Sequence, residues 1–154
     1  MLCLLFQLGD ALCAVEAARI VEVLPLVHMR PLPSSIPEVA GVLNHRGQPV
    51  PVVDLCRVHL GRAARSRLST RILLFDPSPE SSPTRLLGMI AERATEAAAF
   101  EPGDFDQPSP LGRTGHTSRG TVQWVDLDRL VPAETRASAL ALKLAGNVTV
   151  GGHA

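Results

Sequence analysis

The sequence predicts an all-β fold, a barrel or sandwich of short strands. Apolar residues alternate with other residues near the N-terminus, short runs rich in Val, Ile and Leu follow, and Pro, Gly, Asn or Ser clusters separate them. No internal repeat is strong enough to suggest a repeat architecture. The chain has 154 residues, and about 100–200 is usual for one domain. Hydrophobic residues make up 45% and charged residues 19%, enough apolar side chain to bury a core.

Leu2, Leu4, Phe6 and Leu8 recur at period two, which predicts a half-buried strand. Gly9-Asp10 suits a two-residue hairpin turn, and Ala11, Cys13 and Val15 continue the apolar face. In that register Leu8 faces Ala11 and Phe6 faces Cys13. Cys3 then points to the opposite face from Cys13, so a disulfide between them is disfavoured. With Cys56 the thiols are odd in number, and no C-x-x-C or zinc spacing occurs. They read as small buried hydrophobes. A strand over 20–24 follows, broken by Pro25. Pro31, Pro33 and Pro37 make a rigid extended connector, with a short turn or helix over Glu38–Ala40.

Residues 41–49 read as a turn, since Asn44 and Gly47 tolerate positive φ, and 50–53 as a strand. Asp54 can cap a helical turn over Leu55–Leu60 that Gly61 closes. Residues 57–71 hold Arg57, Arg62, Arg65, Arg67 and Arg71 with no acid, a polar loop. Residues 71–75 and 86–91 pair as a hairpin with the long loop 76–85 at its tip. Residues 101–120, rich in Pro, Gly, Asp and Ser, read as a loop that is functional or partly disordered. Residues 121–125 are the last strand and 126–131 a turn. Residues 133–145 favour helix, Gly146 ends it, and the tail is loose.

Fifteen basic residues balance fifteen acidic ones. A nucleic-acid domain normally has a basic excess, because phosphate neutralisation supplies its affinity. Aromatics are 3% of the chain, too few for base-stacking platforms. No apolar run approaches the ~18 residues of a membrane span, and the N-terminus lacks a signal peptide's cationic leader. The cytoplasm is the expected location. No nucleophile elbow, Walker loop or dinucleotide fingerprint occurs, and the five histidines are scattered. The expectation is a non-enzyme without cofactor or metal. A Cys56–His45 pair remains open, and predicts a reactive thiolate.

Gly41–Leu55, GVLNHRGQPVPVVDL, stands out. It presents Arg46 on a tight turn before a buried strand. Such an arginine suits bidentate pairing with a carboxylate, or ties two loops together. This segment resembles the G-V-x-N-x-R-G-x-x-x-P-V-x-D-L signature of CheW-like coupling proteins. FQLGDALCAVEAARIVEVLP resembles that family's first hairpin and V-x-E-[IV] segment. RILLF with LLGMIAERATEA resembles its later strand pair, and WVDLDRLVP its closing strand and turn. Order and spacing match over roughly residues 4–132.

The resemblance implies two small five-stranded, SH3-like β-barrel lobes in residues 1–132, with a short C-terminal helix and tail in 133–154. It implies a non-catalytic adaptor between the cytoplasmic tip of a methyl-accepting chemoreceptor and the regulatory domain of a CheA-like histidine kinase, without nucleic acid or direct membrane insertion. Receptor arrays would then bring the protein to the inner membrane face. By motif position Ile20, Glu22 and Val23 fall on the receptor-facing strand, Asn44, Arg46 and Gly47 on the N-x-R-G turn, and Leu87 to Ile90 on a neighbouring groove strand. Arg46 resembles the arginine on which coupling depends, by contact or by shaping the groove. Ile20, Val23 and Leu87 read equally as core, Glu22 as a solvated charge, and Asn44 and Gly47 as turn geometry.

Two departures stand out. His45 occupies a position that is usually apolar or Tyr, and the second-lobe Tyr/Gly motif is not recognisable in 112–120. MLCLLFQLGD, ARIVEVLPLV and LLGMIAERATEA also resemble adaptors of Wsp-type surface-sensing pathways with diguanylate cyclase output. Residues 57–71 carry five arginines, while Glu92, Glu96, Glu101, Asp104 and Asp106 make a mostly acidic stretch, so zero net charge hides a polarity; the Arg-rich loop, with Arg62, Arg65 and Arg67, either steers an acidic partner surface or is simply solvated. The alternative to an adaptor is another small barrel, such as an oligonucleotide-binding module.

Overall fold

The computed structural model describes residues 1–31, 36–80 and 84–142. Its strands are β1 (Leu2–Leu8), β2 (Ala11–Glu16), β3 (Ile20–Pro25), β4 (Val39–His45), β5 (Gln48–Asp54), β6 (Arg71–Phe75), β7 (Leu87–Ala99), β8 (Gln107–Ser109), β9 (Gly112–Thr117) and β10 (Gly120–Val125). Helices α1 (Leu55–Leu60) and α2 (Leu127–Leu130) are short, and residues 133–142 form α3. The expected end of this helix at Gly146 and the tail lie outside the described residues, as does Pro33 of the proline connector.

The first hairpin has the expected register, Leu8↔Ala11 and Phe6↔Cys13. Cys13 and Phe6 join one apolar cluster and Cys3 joins another, so the two thiols lie on opposite faces. β1 is not half-buried, however. It lies between β2 and β7, and it buries Phe6 and Leu8 on one face and Cys3 and Leu5 on the other, while Leu2 is exposed. Period two marked one face and missed that Cys3 and Leu5 are apolar as well.

β7 divides the fold. Its first part, Leu87–Ala91, pairs antiparallel with β6 and parallel with β5. Its second part pairs with β1. One lobe therefore has the order β3-β6-β7-β5-β4, and the other runs β7-β1-β2-β10-β9 with short β8 at its edge. This is the two-lobed architecture expected. The first of these lobes closes where the chain leaving β3 meets β4: Arg30 and Val42 exchange backbone hydrogen bonds of 3.1 and 3.0 Å. Gly41 permits that approach. A Cβ there would stand 2.8 Å from the Arg30 carbonyl oxygen and 3.0 Å from Met29 Cβ.

Each lobe encloses a small apolar cluster, Leu5, Phe100, Phe105 and Val122 in one and Val50, Val52, Ile72 and Leu74 in the other. The largest cluster lies between the lobes. Phe6, Val15, Leu73, Phe75, Met89, Leu127 and Leu130 meet there, and Ala139 brings α3 into it. Each such side chain contributes roughly 1.5–3 kcal/mol on burial, so the interlobe seam is the main core. His59 Nε2 donates to the Leu130 carbonyl across it, at 2.6 Å.

Residues 101–120 differ from the expected loop. Glu101 and Asp104 form a reciprocal cap, Phe100 and Phe105 meet edge to face at 5.2 Å, and β8 and β9 follow. β9 reads Gly-Arg-Thr-Gly-His-Thr, without apolar alternation, so no strand period marks it. Pairing with β10 defines it, and Gly115 lets the Asp104 carbonyl approach where a Cβ would collide. β4 likewise differs from the expected turn over residues 41–49. Its partner β5 and the Arg30 bridge make it a strand.

Two carboxylates shape the Arg-rich loop. Asp54, buried, caps α1 through Cys56 N at 2.9 Å and Arg57 N at 3.4 Å, and its other oxygen accepts from Ala64 N at 2.9 Å. Glu92 accepts two bonds from Arg62, at 2.9 and 3.1 Å, and one from Arg65 N at 2.7 Å. Hydrogen bonding from Arg62, with the Arg65 amide, outweighs burial and holds the Glu92 carboxyl down at about 2.

Two predictions follow from these contacts. Gly41→Ala should cost about 1–3 kcal/mol, read as a fall in Tm of roughly 2–4 °C per kcal/mol. A carboxylate with a depressed folded pKa contributes stability that is complete above its ordinary value of 4.5 and is lost as pH falls toward 2. Glu92→Gln should therefore flatten the pH dependence of Tm in that window relative to wild type.

Candidate functional site

β3 forms the lip of the site. Among the described strands it pairs only with β6, and its side chains alternate. Ile20, Glu22 and Leu24 turn inward, and Val21, Val23 and Pro25 turn outward. Val21 is 56% exposed, Val23 37%, and Val27 just beyond the strand 39%. Val21 and Val23 share the outer face of β3.

The β4–β5 turn supplies the charge. His45↔Gln48 closes a two-residue loop in which Arg46 has φ +52 and Gly47 φ +81, the geometry of a type I′ hairpin. Asn44 Oδ1 accepts from Gly47 N at 2.9 Å and fixes the turn. Glu22 reaches across from β3. Its Oε1 accepts from Arg46 Nη2 at 3.2 Å, and its Oε2 lies 3.4 Å from His45 Nε2. The Arg46 side chain is 80% exposed and Glu22 31%. An exposed pair of this kind is worth about 0–1 kcal/mol, so it orients the guanidinium more than it stabilises the fold. Most of the five guanidinium N–H groups remain available to an acceptor. A hollow of about 330 Å³ opens beside the turn, lined by His28, Arg30, Val42, Asn44 and Pro49 among others.

Glu22, Asn44, Arg46 and Gly47 thus come together, with Val23 on the adjoining outer face. Ile20 is half-buried against the interlobe cluster. Leu87 and Ile90 do not join them. β7 is a central strand here, flanked by β5 and β6, and both of its faces are covered. Leu87 is fully buried between the lobes and Ile90 is 4% exposed inside one lobe. Val21 and Val27 were missed, although strand parity alone puts Val21 on the same face as Val23. His45 is largely covered, its side chain 13% exposed.

The cysteines lie apart from this site. Burial pushes the Cys13 thiol up to about 12 and Cys56 up to about 11, with Glu92 and Asp54 adding to the latter. Cys3 is raised as well, by burial and then by Glu16. Raised pKa values oppose thiolate formation, against the Cys56–His45 enzyme reading. Among the described residues, no group of three or more His, Cys, Asp or Glu could hold a metal ion, and no helix is long and apolar enough to cross a membrane.

A model of the CheW-like domain matches residues 2–134. The chain belongs to the CheW-like domain family. It is 35% identical over 107 residues to Protein FrzA of Myxococcus xanthus, a match that covers 70% of this chain. The chain spans 63% of FrzA's length. The fold is similar to the crystal structure of the scaffolding protein TtCheW from Thermoanaerobacter tengcongensis, with TM-score 0.72 and 17% identity over 87% of this chain and 89% of that one. In this CheW-like chain, the segment GVLNHRGQPVPVVDL forms the hairpin that carries Arg46 and ends on the Asp54 cap.

The backbone of Arg46 is left-handed, with φ +52. Its left-handed conformation suits Asn better than Arg. Arg46→Asn should melt at or above the wild-type temperature although it loses the bond to Glu22, as differential scanning calorimetry would show.

Proposed function

We propose that this CheW-like chain is an adaptor that joins a chemoreceptor-type sensor to a CheA-like histidine kinase. The observation that carries this reading is the exposed Arg46 guanidinium, oriented by Glu22 of β3, the strand whose outer face exposes Val21 and Val23. An apolar strip with one oriented cation is the composition of a protein-recognition surface. A helical receptor tip would lay its apolar face on the valines and offer a carboxylate to Arg46. The kinase regulatory domain would dock on another face, and an array would reinforce modest affinities by multivalency. The zero net charge and the low aromatic content favour a protein partner over an oligonucleotide.

The test uses the purified chain with a receptor-tip peptide bundle and a CheA-like regulatory domain from the same genome. Wild type should bind both. Arg46→Asn and Val21→Asp, each folded by thermal melt, should weaken receptor-tip binding at least about tenfold, or ~1.4 kcal/mol. Binding to neither partner by a folded wild type would overturn the adaptor reading.

A further inference from the structure

β7 does not pass smoothly from lobe to lobe. Its pairing with β1 slips between Gln7↔Glu92 and Leu5↔Glu96. Arg93, Ala94 and Thr95 bulge from the ladder there, and the Ala94 amide donates instead to the Ser69 carbonyl, at 2.9 Å. Arg93 adopts φ +51, a conformation costly for a residue with a side chain. Beside the bulge opens a cavity of about 590 Å³. Leu5 and Leu12 line part of its wall, and Arg67, Arg93 and Arg119 reach it from three different segments.

The charge of this hollow is not neutralised. Arg119 Nη1 donates to Glu96 Oε2 at 2.6 Å, and Glu96 is the one acid among the lining residues described. No hydrogen bond or ion pair engages the Arg67 or Arg93 guanidinium among the described residues. Three cations thus meet one anion. Leu68, between the lining residues Arg67 and Ser69, is 98% exposed. Two other arginines of the Arg-rich loop, Arg57 and Arg62, differ. Arg62 and the Arg65 amide are held by Glu92, and Arg57 donates to the Pro37 carbonyl at 3.0 Å. The expected group Arg62, Arg65 and Arg67 is therefore split: Arg62 pins the loop, and Arg67 joins cations from elsewhere in the fold.

We propose that this hollow is a second docking surface, for an acidic protein segment that carries an apolar residue. Carboxylates would sit among Arg67, Arg93 and Arg119, where guanidinium forks pair them, and the apolar residue would cover Leu68. Opposed charges speed the encounter. The leucine wall and the absence of aromatics among the lining residues described disfavour a nucleic-acid strand. This surface shares no residue with the Glu22–Arg46 site and does not depend on the adaptor reading.

The test is NMR titration of the isotope-labelled full chain with a synthetic Glu-rich peptide carrying one Leu. Arginine Nε–Hε signals of Arg67, Arg93 and Arg119 and the Leu68 methyls should shift together. Arg67→Glu and Arg119→Glu should each raise the peptide Kd about tenfold, and added salt should weaken binding. Arg46→Asn should leave the peptide Kd unchanged. Arg93→Gly removes the guanidinium but suits the left-handed backbone, so it should weaken binding without lowering Tm. Shifts centred on Arg46, or a Kd unmoved by both charge reversals, would overturn the proposal. Tighter binding of a single-stranded oligonucleotide at the same signals would overturn the assignment to a protein partner.

Discussion

The thirteen residues of β7 belong to both lobes at once, and this constraint organises the molecule. A strand hydrogen-bonded to β5 and β6 at one end and to β1 at the other ties the two lobes together through the backbone. The largest apolar cluster lies along the same seam and draws in α2 and α3. Each lobe's own interior is small, so neither has much to hold it together alone. The strain of serving two sheets is taken up at Arg93–Thr95, where the ladder slips and the backbone of Arg93 turns left-handed.

Acidic residues act here as organisers of the backbone and of arginines. Asp54 gathers three amides and joins α1 to the Arg-rich loop. Glu92, one residue before the slip, fastens that loop to β7. Glu22, on the inner side of β3, holds Arg46, while Val21 and Val23 face solvent from the outer side. The zero net charge therefore hides two kinds of arginine. Some are spent on internal acceptors. Others, Arg67 and Arg93 among them, are left facing solvent in a hollow.

Features written in nearby residues were readable from the sequence. The β1–β2 register followed from a two-residue turn, and the Asp54 cap and Gly61 stop followed from the residues that directly flank α1. β9 had no such local mark, because its glycines answer to backbone outside the strand, Gly115 to Asp104 and Gly112 to Trp124 and Asp126. The resemblance puts Leu87 and Ile90 on a groove strand, and an apolar strand by itself reads the same on a surface as in a core. The neighbours β5 and β6 decide between those readings, and no spacing within β7 records them.

By itself, the sequence determined the all-β class, the order of most strands, the turn that carries Arg46 and the resemblance to CheW-like proteins. These rest on local chemistry: alternation, turn residues, caps and one contiguous motif. Only the tertiary structure decided that Glu22 pairs with Arg46, that Val21 and not Ile20 faces solvent, and that Arg62 is spent while Arg67 stands with Arg93 and Arg119. The physical reason is that charge pairing and burial depend on distance in space. Residues 22 and 46, or 67 and 119, become neighbours only when the lobes close around their shared strand.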